Sequence, residues 1–281
     1  MKILWLADYS VKENKGGAQQ TNKEMIEYGL NLGYDIDIVL GGSVIPPTRK
    51  YDLIVINNIT LWERSVVESL VASGKVIRYE HDLWVAKNYP DLYKKVKHTI
   101  FLSPLHYKVA RELVDYEIKN YSIVPPPIDS KIFKIKGEKI PNTVLWAGNF
   151  CESKGSRGFI GYVKQNPWMK FYIAGWGADI DKIKKIENVD YLGELDRDGL
   201  IKEYQRCEYF YHKPFDYEEP FGRTVVEAYL CGCNLLLNNK IGAISWDWDY
   251  SNYDLIKEKV QSQSNFWKVL KDEVQTSGDM E

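Results

Sequence analysis

The chain has 281 residues, 44% hydrophobic and 27% charged, with 37 basic against 39 acidic side chains and a formal net charge of −2. That composition suits a globular chain of one large or two ordinary domains and excludes a disordered or fibrous one. The balance of charge excludes a broad electrostatic footprint for nucleic acid and leaves room only for a local basic strip.

The start, MKILWLADYS, carries Asp8 directly after a strand-like run, so it does not read as a secretory segment. No run of 18 apolar residues suggests a transmembrane helix. Cys151, Cys207, Cys231 and Cys233 lack the C-x-x-C spacing of a zinc site. A cytoplasmic location with reduced, buried thiols is therefore the expectation.

Short apolar runs then alternate with helical patterns. Strands are predicted at 2–7, 35–40, 52–57, 75–79, 98–103 and 121–125, with helices at about 18–32, 62–72 and 104–116 between them. Three prolines, Pro125-Pro126-Pro127, cannot continue a central strand and favour an extended connector. The pattern resumes with strands at 143–148, 170–175, 189–193, 208–212 and 234–238, and helices at about 155–165, 178–187, 196–206 and 223–231. Such alternation predicts an α/β chain of two Rossmann-like, doubly wound parallel-sheet domains facing across a cleft. The expected division is 1–125, a linker at 126–141, a second domain at 142–250, and a helical tail at 251–281 that returns to the first. Ligands of open α/β sheets bind at the carboxyl ends of strands, so the loops there should hold the chemistry.

Four loops qualify. Lys15-Gly16-Gly17-Ala18 follows the first strand and opens a helix, where amides favour an anion; a flexible turn is the plainer reading. His81 and Asp82 close the strand at 75–79, a setting in which a histidine can hold a substrate hydroxyl proton. His98, His106 and His212 have no comparable setting and read as structural. Lys154 stands before a helix start, suited to phosphate, with Arg157 expected on the same helical face. In EEPFGRTVVEAYLCG, 218–232, Glu219 precedes a Pro-Phe-Gly turn and Glu227 falls on the next helix. A carboxylate among Val225, Val226, Ala228 and Leu230 needs hydrogen-bond donors. A ribose or sugar diol supplies them, and so would an ion pair with Arg223 or Lys213.

The ordered set resembles the retaining GT-B glycosyltransferases of family four over about residues 1–245. It comprises the glycines at 16–17, HDLW at 81–84, FLSPLHYKVAREL at 101–113, IVPPPIDSKIF at 123–133, AGNFCESKG at 147–155, YLGELDRDGLIKEY at 191–204 and E-x-F-G-x-x-x-x-E at 219–227. The last motif and the VPPPID linker are fairly specific; each other piece alone is weak. The resemblance implies that Glu227 holds the ribose of a nucleotide diphosphate sugar and Glu219 the transferred sugar. The amides of Phe221 and Gly222 would approach sugar or phosphate, and Lys154 would neutralise the diphosphate. Gly16 and Gly17 would close over the diphosphate and acceptor side. His81 would lie near the reacting centre, and the loop from Gly193 to Leu195 would meet the base. Similar enzymes use no metal and no cofactor beyond this co-substrate, with UDP-sugar the favoured donor. The family usually has arginine where Asn149 stands, a departure that Arg157 or Arg223 is expected to offset. The acceptor, whether glycan, lipid-linked, small molecule or modified nucleic acid, is not specified, and peripheral membrane contact is compatible with the sequence. Two other readings stand beside this one. The basic-aromatic strip of Lys87, Tyr89, Tyr93, Lys94, Lys95, Lys97 and His98 would suit transfer to modified nucleic-acid bases. Asn149 leaves room for a nucleotide-sugar-binding protein without transfer activity.

Overall fold

The structure, a computed structural model, describes residues 1–13 and 16–278. Lys15 lies outside the described residues. The described residues hold eleven strands: β1 (Lys2–Ala7), β2 (Asp35–Leu40), β3 (Leu53–Ile56), β4 (Val76–Tyr79), β5 (His98–Phe101), β6 (Tyr121–Ile123), β7 (Ile140–Asn149), β8 (Lys170–Trp176), β9 (Val189–Gly193), β10 (Cys207–His212) and β11 (Asn234–Leu237). They form two parallel sheets, ordered β2-β1-β3-β4-β5-β6 and β11-β10-β7-β8-β9. Central strands of such sheets are covered on both faces, which is why β1 and β3 read as continuous apolar runs and are buried throughout their middles. The edge strand β2, DIDIVL, keeps its acids toward solvent.

The chain divides into two compact units. One is residues 1–127 together with the segment from Gln261 onward, and the other is Ile128–Val260. The tail is two helices rather than one. Helix Tyr253–Lys259 stays with the second unit, and helix Gln263–Gly278 belongs to the first. Between them Val260 O accepts from Ile128 N at 3.0 Å and Ser262 Oγ donates to Pro125 O at 2.6 Å. The helix expected at 178–187 shrinks to Ile180–Ile183.

The returning helix completes the first unit's core. Its Phe266, Trp267 and Leu270 are buried; Phe266 packs on Trp5 and Tyr79 at ring separations of 5.8 and 4.7 Å, and the Trp267 indole N–H donates to Met25 O at 2.9 Å. Side chains of this kind are worth roughly 1.5–3 kcal/mol each in apolar burial. The Trp267 ring fits only because residue 29 has no side chain, since a Cβ on Gly29 would stand 2.1 Å from Trp267 Cζ2. Helix propensity favours alanine over glycine by about 1 kcal/mol, but overpacking of this kind costs about 1–3 kcal/mol and wins. Gly29→Ala is therefore expected to destabilise the first unit in urea unfolding followed by tryptophan fluorescence. Gly161→Ala, on a helix with open space at the Cβ position, is expected to be neutral or stabilising.

Candidate functional site

The predicted residues fall into two groups, one in each unit. In the second unit the loop after β7 is a tight turn: Lys154 N donates to Cys151 O at 3.1 Å and Gly155 N to Glu152 O at 2.8 Å. Gly155 adopts φ +94°, and a Cβ there would stand 2.0 Å from Lys213 O, so glycine alone lets the loop after β10 pass. Phe215 N then donates to Ser153 O at 3.0 Å, stitching the two loops together. Lys154 thus lies in the turn, ahead of the helix Ser156–Gln165, and does not share a helical face with Arg157. The left-handed Gly155 is the reason. Arg157 is 89% exposed, with Nη1 4.0 Å from Glu152. It borders a hollow of about 450 Å³ that Tyr211, Lys213 and Phe215 also line.

The loop after β10 is pinned by its backbone. Glu219 N donates to Lys240 O at 2.8 Å, Gly242 N to Glu219 O at 2.9 Å, and Ala243 N to Phe221 O at 2.7 Å. These bonds aim the Glu219 side chain at Lys154, whose Nζ donates to Oε2 at 2.5 Å while lying 4.1 Å from the Tyr217 ring centroid. His212 Nε2, at the end of β10, stands 3.4 Å from the same oxygen. Burial alone would raise the Glu219 carboxyl, but the Lys154 charge and the His212 contact outweigh it and hold the group down at about 2. His212, read as structural from sequence, is thus part of this cluster. The strand-end rule that singled out His81 applies equally to it.

Gly222, at φ +84°, caps the helix Arg223–Leu230. On that helix Glu227 lies 3.4 Å from Arg223 Nε, both side chains buried, so the ion-pair alternative describes this glutamate. Glu219 pairs with Lys154 and not with Lys213, whose Nζ lies over the Tyr211 ring. Asn149 is exposed at the end of β7, and Leu195 is half-buried between Gly193 and a helix that Asp196 caps through Gly199 N at 2.8 Å. The aromatic segment 246–254 packs on the second unit's own helix. Tyr229 Oη donates to Tyr250 O at 2.7 Å, Tyr253 Oη to Leu230 O at 2.9 Å, and Trp248 meets the Phe221 ring at 6.4 Å.

In the first unit Gly16 is the extended N-cap of helix Gly17–Asn31. His81 follows β4, with Nε2 3.0 Å from Asn57 Oδ1 and 3.2 Å from Asn22 Oδ1. The neighbouring acid does not serve the histidine: Asp82 accepts from Trp84 N at 2.7 Å and from Asn58 Nδ2 at 3.3 Å. His106 Nε2 meets Asp82 O at 3.0 Å, and His98 Nδ1 meets Glu273 at 3.0 Å, both structural contacts. Neither asparagine beside His81 was legible in the sequence, because only the pairing of β3 with β1 and the path of the first helix bring them there.

Chemically, the second-unit cluster offers a carboxylate that accepts hydroxyl hydrogens and an ammonium with three donors for phosphate oxygens. Because Glu219 is depressed, the stability it contributes is complete above the ordinary glutamate range near 4.5 and is lost as pH falls toward about 2. Lys154→Met is expected to destabilise the second unit by about 1.5–3 kcal/mol at neutral pH, with partial recovery in Lys154→Met/Glu219→Gln, in chemical unfolding. The stability gap between wild type and Glu219→Gln is expected to close between pH 4.5 and about 2.

Residues 128–245 match the family of glycosyl transferases group 1. No curated protein matches the chain in sequence. Among solved structures, Anabaena HepE in complex with UDP and glucose aligns with a TM-score of 0.66 at 16% identity, covering 100% of this chain and 99% of that one. Sucrose-phosphate synthase from Thermosynechococcus elongatus gives 0.72 at 15% identity, covering 98% and 94%. An alpha-glucosyltransferase in complex with UDP and a 13-mer DNA containing an HMU base gives 0.61 at 14% identity, covering 98% and 93%. At these identities the likeness is one of fold. With two parallel-sheet α/β units in this order the chain has the GT-B fold, and the match to glycosyl transferases group 1 lies within the second of them.

Proposed function

We propose that the protein is a retaining, metal-independent glycosyltransferase that moves a sugar from a nucleotide diphosphate sugar, a UDP-sugar foremost, to an acceptor hydroxyl. The observation that carries this reading is the Lys154–Glu219–His212 cluster, at the carboxyl ends of β7 and β10 and inside the family-matched segment. HepE with UDP and glucose, and the alpha-glucosyltransferase with UDP, support the choice of donor.

In this reading the second unit binds the donor. Lys154 keeps Glu219 and adds a diphosphate oxygen, since one ammonium has three donors. Glu219, ionised at any physiological pH, accepts from hydroxyls of the transferred sugar. Glu227, beside Arg223, holds the ribose. Phe221 and Gly222 present amides, and Leu195 borders the base. The bond from the anomeric carbon to the phosphate oxygen breaks while the acceptor oxygen bonds to that carbon. The acceptor proton passes to the departing phosphate, whose growing charge Lys154 and the amides stabilise. Gly16, Gly17 and His81 of the first unit serve the acceptor side. Of the two arginines offered in place of one at Asn149, Arg223 is held by Glu227, which leaves the exposed Arg157.

Transfer to modified nucleic-acid bases is the weaker reading, although one structural neighbour carries DNA. Lys95 bonds Glu68 at 2.7 Å, Lys97 lies 3.6 Å from Glu273, and Lys94 rests on the Tyr116 ring, so much of the basic strip is neutralised within the unit. Among the described residues no helix is long and apolar enough to cross a membrane.

A thermal-shift screen of nucleotide diphosphate sugars is expected to single out UDP-glucose or another UDP-sugar; at 100 times Kd the ligand adds about 2.7 kcal/mol. Nucleotide release is expected to vanish in Glu219→Ala, which excludes the binding-only reading, and to persist in EDTA. Arg157→Ala is expected to weaken donor binding about tenfold, a loss of one charge-assisted contact. An inverted anomer in the product by NMR would overturn the retaining mechanism.

A further inference from the structure

His81 is half-buried at the end of β4, and its Nε2 sits between two amide oxygens, Asn57 Oδ1 at 3.0 Å and Asn22 Oδ1 at 3.2 Å. The orientation of Asn57 is dictated by its surroundings. It is fully buried, and its Nδ2 donates to Leu6 O, in β1, at 3.0 Å. Its oxygen must therefore face the imidazole, and a ring nitrogen facing oxygen acceptors must carry hydrogen. The ring plane is held as well: His81 packs on Tyr79 at 4.5 Å, and Tyr79 on Phe266 of the returning helix at 4.7 Å.

We propose that Asn57 and Asn22 are positioning residues that fix His81 as the Nε2–H tautomer and so assign hydrogen-bond acceptance from a substrate hydroxyl to Nδ1. The proposal rests on the placement of His81 at the acceptor side in the function proposed above. The usual orienter of a working histidine is a carboxylate, which also favours the imidazolium. Here the adjacent acid, Asp82, is turned to Trp84 N and Asn58 instead. Two neutral amides orient the ring without adding charge, which suits a histidine that accepts a hydrogen bond beside a substrate already carrying a diphosphate.

The tautomer is read directly in the free, full-length protein by two-bond ¹⁵N–¹H correlation of the histidine ring. A protonated Nε2 with a bare Nδ1 is expected for His81 at a pH where it is neutral, and a protonated Nδ1 overturns the proposal. Asn22→Leu is expected to lower kcat about tenfold while the donor KM changes by less than about twofold; Asn22→Asp, which keeps an acceptor at the same atom, is expected to retain more activity. In a His81→Ala background the Asn22→Leu change is expected to have no further effect. An equal loss in both backgrounds marks Asn22 as merely structural and overturns its positioning role. Full transfer activity in His81→Ala overturns the catalytic half of the proposal and the acceptor-side role of His81, while the ring spectrum continues to report the tautomer on its own.

Discussion

Glu219 is the constraint on which the second unit's functional end depends. Burial favours its neutral form, and it ionises only because Lys154 and His212 stand against it. Those partners come from two loops that are far apart in sequence and must be held within ångströms of each other. The holding is done by backbone: Phe215 N on Ser153 O, Glu219 N on Lys240 O, Gly242 N on Glu219 O. Gly155 makes it sterically feasible by admitting the Lys213 carbonyl where any side chain would collide. The carboxylate and the loop geometry thus require each other.

Behind that end lies an aromatic support. Phe221, beside Gly222, meets Trp248, which stacks on Trp246 at 5.0 Å, and Tyr250 and Tyr253 tie the same segment to the helix bearing Glu227. Large rigid rings with few rotamers hold a turn more firmly than aliphatic side chains of equal area, because little conformational entropy is lost in ordering them. The turn and the helix are thus tied to one and the same aromatic segment.

All the strands were visible in the sequence because buried parallel strands are short, apolar and bounded by turn residues. β1, β2 and β9 keep the limits that their runs dictate. The tail was less legible. It reads as one helical stretch, whereas the structure breaks it near Val260–Ser262, where Val260 O meets Ile128 N and Ser262 Oγ meets Pro125 O. At the site, Lys154 and Glu219 stood out because a charge at a strand end needs a reason, yet their mutual contact did not, since register and loop path are long-range properties. Arg157 does not share a helical face with Lys154, because the left-handed Gly155 keeps Lys154 ahead of the helix. Asn22 and Asn57 carried no signal, because an asparagine in a helix or after a strand is ordinary until a ring nitrogen is found beside it.

The return of the last helix to the first unit has a consequence for how the chain matures. During synthesis residues 1–127 emerge without the segment that covers Trp5, Met25 and Tyr79, whereas Ile128–Val260 is contiguous and has all its strands once residue 260 has emerged. The contacts of Trp5, Met25 and Tyr79 with Phe266 and Trp267 can form only after the last helix has been made. The core of the first unit thus depends on contacts between residues some 240 positions apart in sequence, as between Met25 and Trp267.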